Sequence, residues 1–299
     1  ELDSIGAEYN AFTSKEYTGY WAKASSGNLN LIMDVISDIF LNSKLDEKEI
    51  EKEKGVIIEE INMYLDDSPR HVGELFENLL YGDQPVGWDV AGEKEVIRKL
   101  SRGQFVDYFS SHYVAKDTII AVAGNVDKEK IKNELVPEFF KGSRVGEKIE
   151  RLPAKESQVK PQFLIQEKKT DQTHFILGVR AFDLFSLKAE AAQLLSIILG
   201  GGMSSRLFIE VREKNGLSYY VRTGFDSYTD HGYLATASGV DNLRAEKAIS
   251  IILNEYRKIR EEPVPEKELK KAKEYIKGKT AIALEQSDDL AGFYANQWL

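Results

Sequence analysis

The chain has 299 residues, 42% hydrophobic and 30% charged, with a net charge of −9 and no cysteine. That length suffices for two domains with proper cores, and the acidic balance leaves no basic surplus to neutralise nucleic acid or an anionic membrane. Without cysteine there are no disulfides or thiolate metal sites, so any metal must be held by His and carboxylates.

The first predicted element is a strand, Glu8 to Ala24, dense in Thr, Tyr and Phe. Asn28 is placed to cap a helix through Leu29, Ile32, Met33, Ile36, Ile39 and Phe40. A longer helix runs from Asp46 to about Asp66, and Ser68-Pro69 opens another that Gly82 ends. A buried strand is expected at Thr118–Ala123, then a helix from Asp127. Residues 141–161 are charged, with two Gly and two Pro, and read as a linker. Beyond it come a strand (Thr173 to Val179), two helices (Leu187 to Leu199, Ser204 to Glu213), a β-pair (Ser218 to Ser227, Gly232 to Ser238) and two long helices. No apolar run approaches the ~20 residues of a membrane helix. A cytoplasmic location is expected.

The second half repeats the first. Gly19-Tyr20-Trp21-Ala22-Lys23-Ala24-Ser25 returns as Gly232-Tyr233-Leu234-Ala235-Thr236-Ala237-Ser238. Leu45-Asp46-Glu47-Lys48-Glu49-Ile50 returns as Val264-Pro265-Glu266-Lys267-Glu268-Leu269. Such a repeat marks a duplicated α/β unit. The expected architecture is therefore α+β: two homologous domains, residues 1–140 and 162–299, each an antiparallel-rich sheet with helices on one face. The second copy has a strand and two helices before Gly216, but only five residues precede Gly6. The chain also opens without Met and stops inside a helical pattern, so it reads as a fragment of a longer protein.

The copies differ where chemistry is expected. On the helix Asp46 to Asp66, the residues Glu53, Val56, Ile57, Glu60, Met63 and Tyr64 share one stripe. Carboxylates in an apolar stripe are costly unless paired or bound to a metal. The same positions in the second copy are Ala272 and Lys279. Gly200-Gly201-Gly202-Met203-Ser204 lacks the Gly-Lys-Ser/Thr ending of a phosphate loop, and reads as a close-packed turn capped by Ser204.

Three stretches resemble the pitrilysin, insulin-degrading enzyme and mitochondrial processing peptidase family of zinc metallopeptidases. They are Gly6–Thr18, Glu51–Glu60, and Gly200–Leu207 continuing through Arg212 to Tyr219. The resemblance implies a zinc endopeptidase acting on extended, unfolded peptides, with an inverted H-x-x-E-H motif supplying two His ligands and a base. It assigns Glu60 as a further metal ligand and Glu53 as a supporting acid. It also makes Asn10, Ala11 and Phe12 an edge that takes a peptide by β-augmentation, and Arg212 and Tyr219 donors to the substrate carbonyl. H-x-x-E-H is absent: His71, His112, His174 and His231 are scattered. The motif is expected in the parent protein, acting as a homodimer. The rival reading is a catalytically inactive homologue, a core, regulatory or peptide-binding subunit.

Overall fold

A computed structural model describes residues 1–298. Leu299, the last residue of the predicted second repeat, lies outside the described residues. The strands are β1 (Glu8–Thr13), β2 (Thr18–Lys23), β3 (Gln172–Arg180), β4 (Ser218–Ser227) and β5 (Gly232–Asp241). The first-half helices are α1 (Leu29–Leu41), α2 (Glu47–Asp66), α3 (Ser68–Tyr81), α4 (Lys94–Lys99), α5 (Arg102–His112) and α6 (residues 128–139). The second half adds α7 (Ala189–Gly200), α8 (Phe208–Lys214), α9 (Ala245–Glu261), α10 (Glu266–Ala283) and α11 (Ser287–Asn296). The α+β class holds.

The chain divides into two compact units, and each draws on both halves of the sequence. One comprises Glu1–Glu59, Val90–Arg151 and Gly278–Leu299; the other comprises Glu60–Asp89 and Leu152–Lys277. Two of the four divisions fall within α2 and within α10, one residue apart in the numbering of the sequence repeat.

In the first unit, β1 and β2 form an antiparallel hairpin, with Phe12 opposite Gly19. The predicted single strand is thus two, because Ser14 N–H donates to Tyr17 O and closes a turn. The Phe12 ring covers Gly19 so closely that a Cβ there would collide with it. Tyr20 and Tyr113 share a hydrogen bond of 3.0 Å, and Phe40, Phe109 and Phe140 pack around them. Asn28 holds the N-cap position of α1 but makes no side-chain bond there. Asp127 caps α6 through the Glu129 and Lys130 N–H groups. Thr118–Ala123 forms no strand: no described strand pairs with it, and Ile119 and Ile120 are exposed. A strand without a partner leaves its N–H and C=O groups without ladder bonds, so composition alone does not secure it. This segment instead lines a cavity of about 250 Å³ with Ala291, Tyr294, Ala295 and Trp298.

In the second unit, β5 is central and β3 and β4 flank it, all antiparallel. Alternation along the strands makes two apolar faces. One is the main core, where Leu234 and Val240 meet Leu199 of α7, Leu207, Val211 of α8 and Ile252 of α9. On the other, Tyr233 meets Phe76, Leu80 and Tyr81 of α3, so α3 adds cover to the second face. Asp67 caps α3 by accepting from Arg70 N–H, and Gly82 ends it at φ 68°.

Candidate functional site

The first candidate is the edge of β1. The turn bond at Ser14 and Tyr17 sets the alternation, so Phe12 and Asn10 bond to β2 while the backbone groups of Tyr9, Ala11 and Thr13 face away. No described strand pairs with that outer edge, and all six residues are exposed. Ala11 N–H donates to Asn10 Oδ1 at 2.8 Å, so the side chain of Asn10 blunts the open edge locally. Asn10, Ala11 and Phe12 thus lie on one exposed strand whose outer ladder groups are those of Tyr9, Ala11 and Thr13, with the Ala11 N–H already held by Asn10.

The second candidate is α2. Its buried line is Lys54, 7% exposed, and Ile61, which is not the stripe read from the sequence. Most of that stripe faces outward: Val56 is 49% exposed, Met63 58%, and Glu53 and Glu60 are exposed beside them, while Ile57 and Tyr64 are half-buried. The helix is present, and its covered face is turned from the one expected. The amphipathic pattern here has two apolar lines, and nothing local says which is covered. The carboxylates of Glu53 and Glu60 make no ion pair or hydrogen bond among the described residues.

The third candidate lies in the second unit. The segment carrying Arg212 is wound as a π-helix, a rare form that often marks functional sites. Gly216, at φ +56°, turns the chain back, and its N–H donates to Arg212 O. Leu217 N–H then bonds to Val211 O, and Arg244 secures Gly216 O at 2.8 Å. At the start of β4 the register slips between Ser218 and Tyr220. This bulge leaves Tyr219 out of the pairing and 80% exposed. The Arg212 guanidinium stands 5.6 Å from the centroid of the Tyr219 ring and 5.0 Å from that of Phe208. Structure therefore brings together the two residues named from the sequence. Both offer N–H or O–H donors at an exposed surface.

The residues present do not make a zinc site. Among the described residues no three His, Asp or Glu side chains converge to hold a metal. The histidines are engaged elsewhere: His71 with Gln166, His174 with Tyr220, His231 with Asp230, and His112 stacked on Tyr108. Burial holds the imidazolium of His174 below its ordinary range. Glu60 is one exposed carboxylate and cannot hold zinc alone.

Two features escaped the sequence reading. Asp226 on β4 has its carboxyl pushed above the usual range, first by burial and then by Glu77. Tyr233 O–H donates to Glu77 Oε1 at 2.7 Å. The Gly200–Ser204 turn is also gripped by α10. Tyr275 O–H donates to Gly201 O at 2.7 Å and Lys271 to Ser204 O at 2.9 Å, while Arg206 forks onto Glu268 at 2.9 and 2.6 Å. Ser204 does not cap the next helix, which begins at Arg206. The faint signal was Glu268-x-x-Lys271, which recurs as Glu49-x-x-Lys52 in the first copy.

Residues 1–94 match the model for insulinase (peptidase family M16), and residues 99–276 match that for the peptidase M16 inactive domain. The chain belongs to peptidase family M16. It is 33% identical over 291 residues to the uncharacterized zinc protease YmxG of Bacillus subtilis, covering 96% of this chain and 69% of that protein. It is likewise 33% identical to an uncharacterized zinc protease of Mycobacterium leprae, covering 96% of this chain but 65% of the relative. In fold it is similar to a protease from Helicobacter pylori, at TM-score 0.88 and 24% identity over 99% of this chain and 73% of that one. It is also similar to a peptidase M16 inactive domain from Pseudomonas fluorescens, at TM-score 0.88, 18% identity, and coverage of 97% and 70%. No helix among the described residues is long and apolar enough to cross a membrane.

Proposed function

We propose that this chain is the peptide-handling portion of a zinc-dependent endopeptidase that cleaves extended, unfolded peptides as a homodimer of the full-length protein. Membership of family M16 supports the reaction class, as do relatives named as zinc proteases. The observation that carries the reading is the Arg212–Tyr219 pair, held by a π-helix and a β-bulge so that both donors meet solvent. Their N–H and O–H groups are suited to a carbonyl oxygen that gains negative charge. The open outer edge of β1 supports a role in holding peptide through backbone hydrogen bonds, with little demand on side chains. Glu60 would contribute one carboxylate to a metal whose histidines this chain does not supply, with Glu53 as its supporting acid.

The test uses a full-length protein carrying this chain and a dye–quencher peptide. Glu60→Gln is expected to abolish cleavage, and Tyr219→Phe to lower kcat about 10²-fold with little change in KM. Unchanged cleavage in Glu60→Gln would remove Glu60 from the site. A full-length protein that binds the peptide, holds no zinc and never cuts it would instead be an inactive, peptide-binding homologue.

A further inference from the structure

The turn that launches the Arg212 helix is fixed on two sides. Against the sheet, Gly200 lies so close to Thr223 of β4 that no Cβ fits between them. Against α10, three side chains on one helical face reach three successive points of the turn. Tyr275 holds the carbonyl of Gly201 and packs its ring over Gly202; Lys271 holds the carbonyl of Ser204; Glu268 takes both arms of Arg206. Spacing of 268, 271 and 275 is the i, i+3, i+7 pattern of one stripe. The Arg206–Glu268 fork is mostly shielded from solvent, which strengthens a charged, bidentate contact over an exposed one. Arg206 is the first residue of the helix that carries Leu207 and Val211 into the core and Arg212 out to Tyr219.

We propose that Glu268, Lys271 and Tyr275 of α10 are positioning residues for the Arg212–Tyr219 pair. They fix the start of the π-wound helix and thereby the distance and direction at which Arg212 meets the Tyr219 ring. None of the three is assigned a part in the chemistry; they act through the turn. A helix anchored at only one end by apolar contacts can roll, because such contacts are non-directional. Directed bonds to two carbonyls and a guanidinium remove that freedom. The proposal rests on the reading that Arg212 and Tyr219 handle peptide, but it has a readout independent of that reading.

The experiment follows the side-chain Nε–H resonance of Arg212 in the intact chain labelled with ¹⁵N-arginine. In the native protein the neighbouring Phe208 and Tyr219 rings, 5.0 and 5.6 Å from the guanidinium, are expected to shift that resonance from its solvent position. Glu268→Gln and Arg206→Lys are expected to move it most of the way back, since Lys offers a point charge without the planar fork. Tyr275→Phe, which removes one hydroxyl and keeps the ring, is expected to move it part of the way. Affinity for a dye-labelled unstructured peptide should fall in the same order, about tenfold for Glu268→Gln. An Arg212 resonance unmoved in folded Glu268→Gln and Tyr275→Phe overturns the proposal, even if both variants melt lower. Should native protein fail to bind the peptide, the peptide-handling reading falls while the resonance still decides the clamp.

Discussion

Helices α2 and α10 occupy matching places in the sequence repeat, and the comparison between them separates scaffold from site. The residues that clamp the turn in the second copy are Glu268, Lys271 and Tyr275, beside Ala272, which is 4% exposed. Their counterparts on α2 are Glu49, Lys52 and Val56, beside Glu53. Glu49 and Lys52 have kept their identity, yet they pair with each other at 2.7 Å on an exposed surface. Val56 and Glu53 stand uncovered next to them. One stripe therefore clamps a turn around a buried alanine in α10 and is an open face bearing acids in α2. The two helices share these positions and differ in what covers them.

The sharpest way to break this comparison is to exchange the residues. Ala272→Glu places a carboxylate in a packed seam and is expected to cost ~3 kcal/mol in denaturant unfolding, for want of a partner. The reciprocal Glu53→Ala should stay within about 0.5 kcal/mol, as an exposed substitution. Equal effects would mean the two stripes are covered alike. Next in size is Gly200→Ala, where the added Cβ meets the Thr223 backbone and should cost ~2 kcal/mol. Tyr275→Val, which installs the first copy's residue, loses a hydrogen bond to Gly201 and should cost ~1 kcal/mol. Smallest are the charge effects. Lys52→Met is expected to change stability by less than ~0.5 kcal/mol, because the Glu49–Lys52 pair is exposed.

A pH series adds a further check in the same unit. The folded protein raises the carboxyl pKa of Asp226 above its unfolded value of 3.8. The folded state then binds that proton more tightly, so this contribution to stability is full below pH 3.8 and is lost as pH rises through the raised value. Asp226→Asn should therefore raise the melting temperature near neutrality and make no difference in strong acid. A variant equally stabilised at both extremes would place the cause outside this titration.

Elements with local signals were legible from the residues alone. Ser68-Pro69 and Gly82 bound α3 as expected, because capping and a positive φ are decided within a few residues. Asp127 is a working cap for the same reason. What depended on distant partners was not legible. Thr118–Ala123 has the composition of a strand, but pairing decides a strand and no described partner lies beside it. The phase of α2 failed because two apolar lines compete and tertiary packing chooses. Meeting of Arg212 with Tyr219 was carried by family resemblance; the bulge and the π-winding that achieve it leave no local signature. The clamp was written in the sequence only as a Glu-x-x-Lys echo, which gains meaning once the turn is seen against it.

The crossing of segments between the two units bears on how this chain can be built and taken apart. Residues 60–89 complete the unit made mostly of later sequence, and residues 278–299 join the unit made mostly of earlier sequence. During synthesis, α3 emerges long before β3 and β5, the strands it packs against, so the surface of Phe76 and Leu80 must wait for more than half the chain. A scissor cut within 141–161 would leave each piece holding an arm that belongs to its sibling and lacking one of its own. Two such pieces made together would have reason to find each other again.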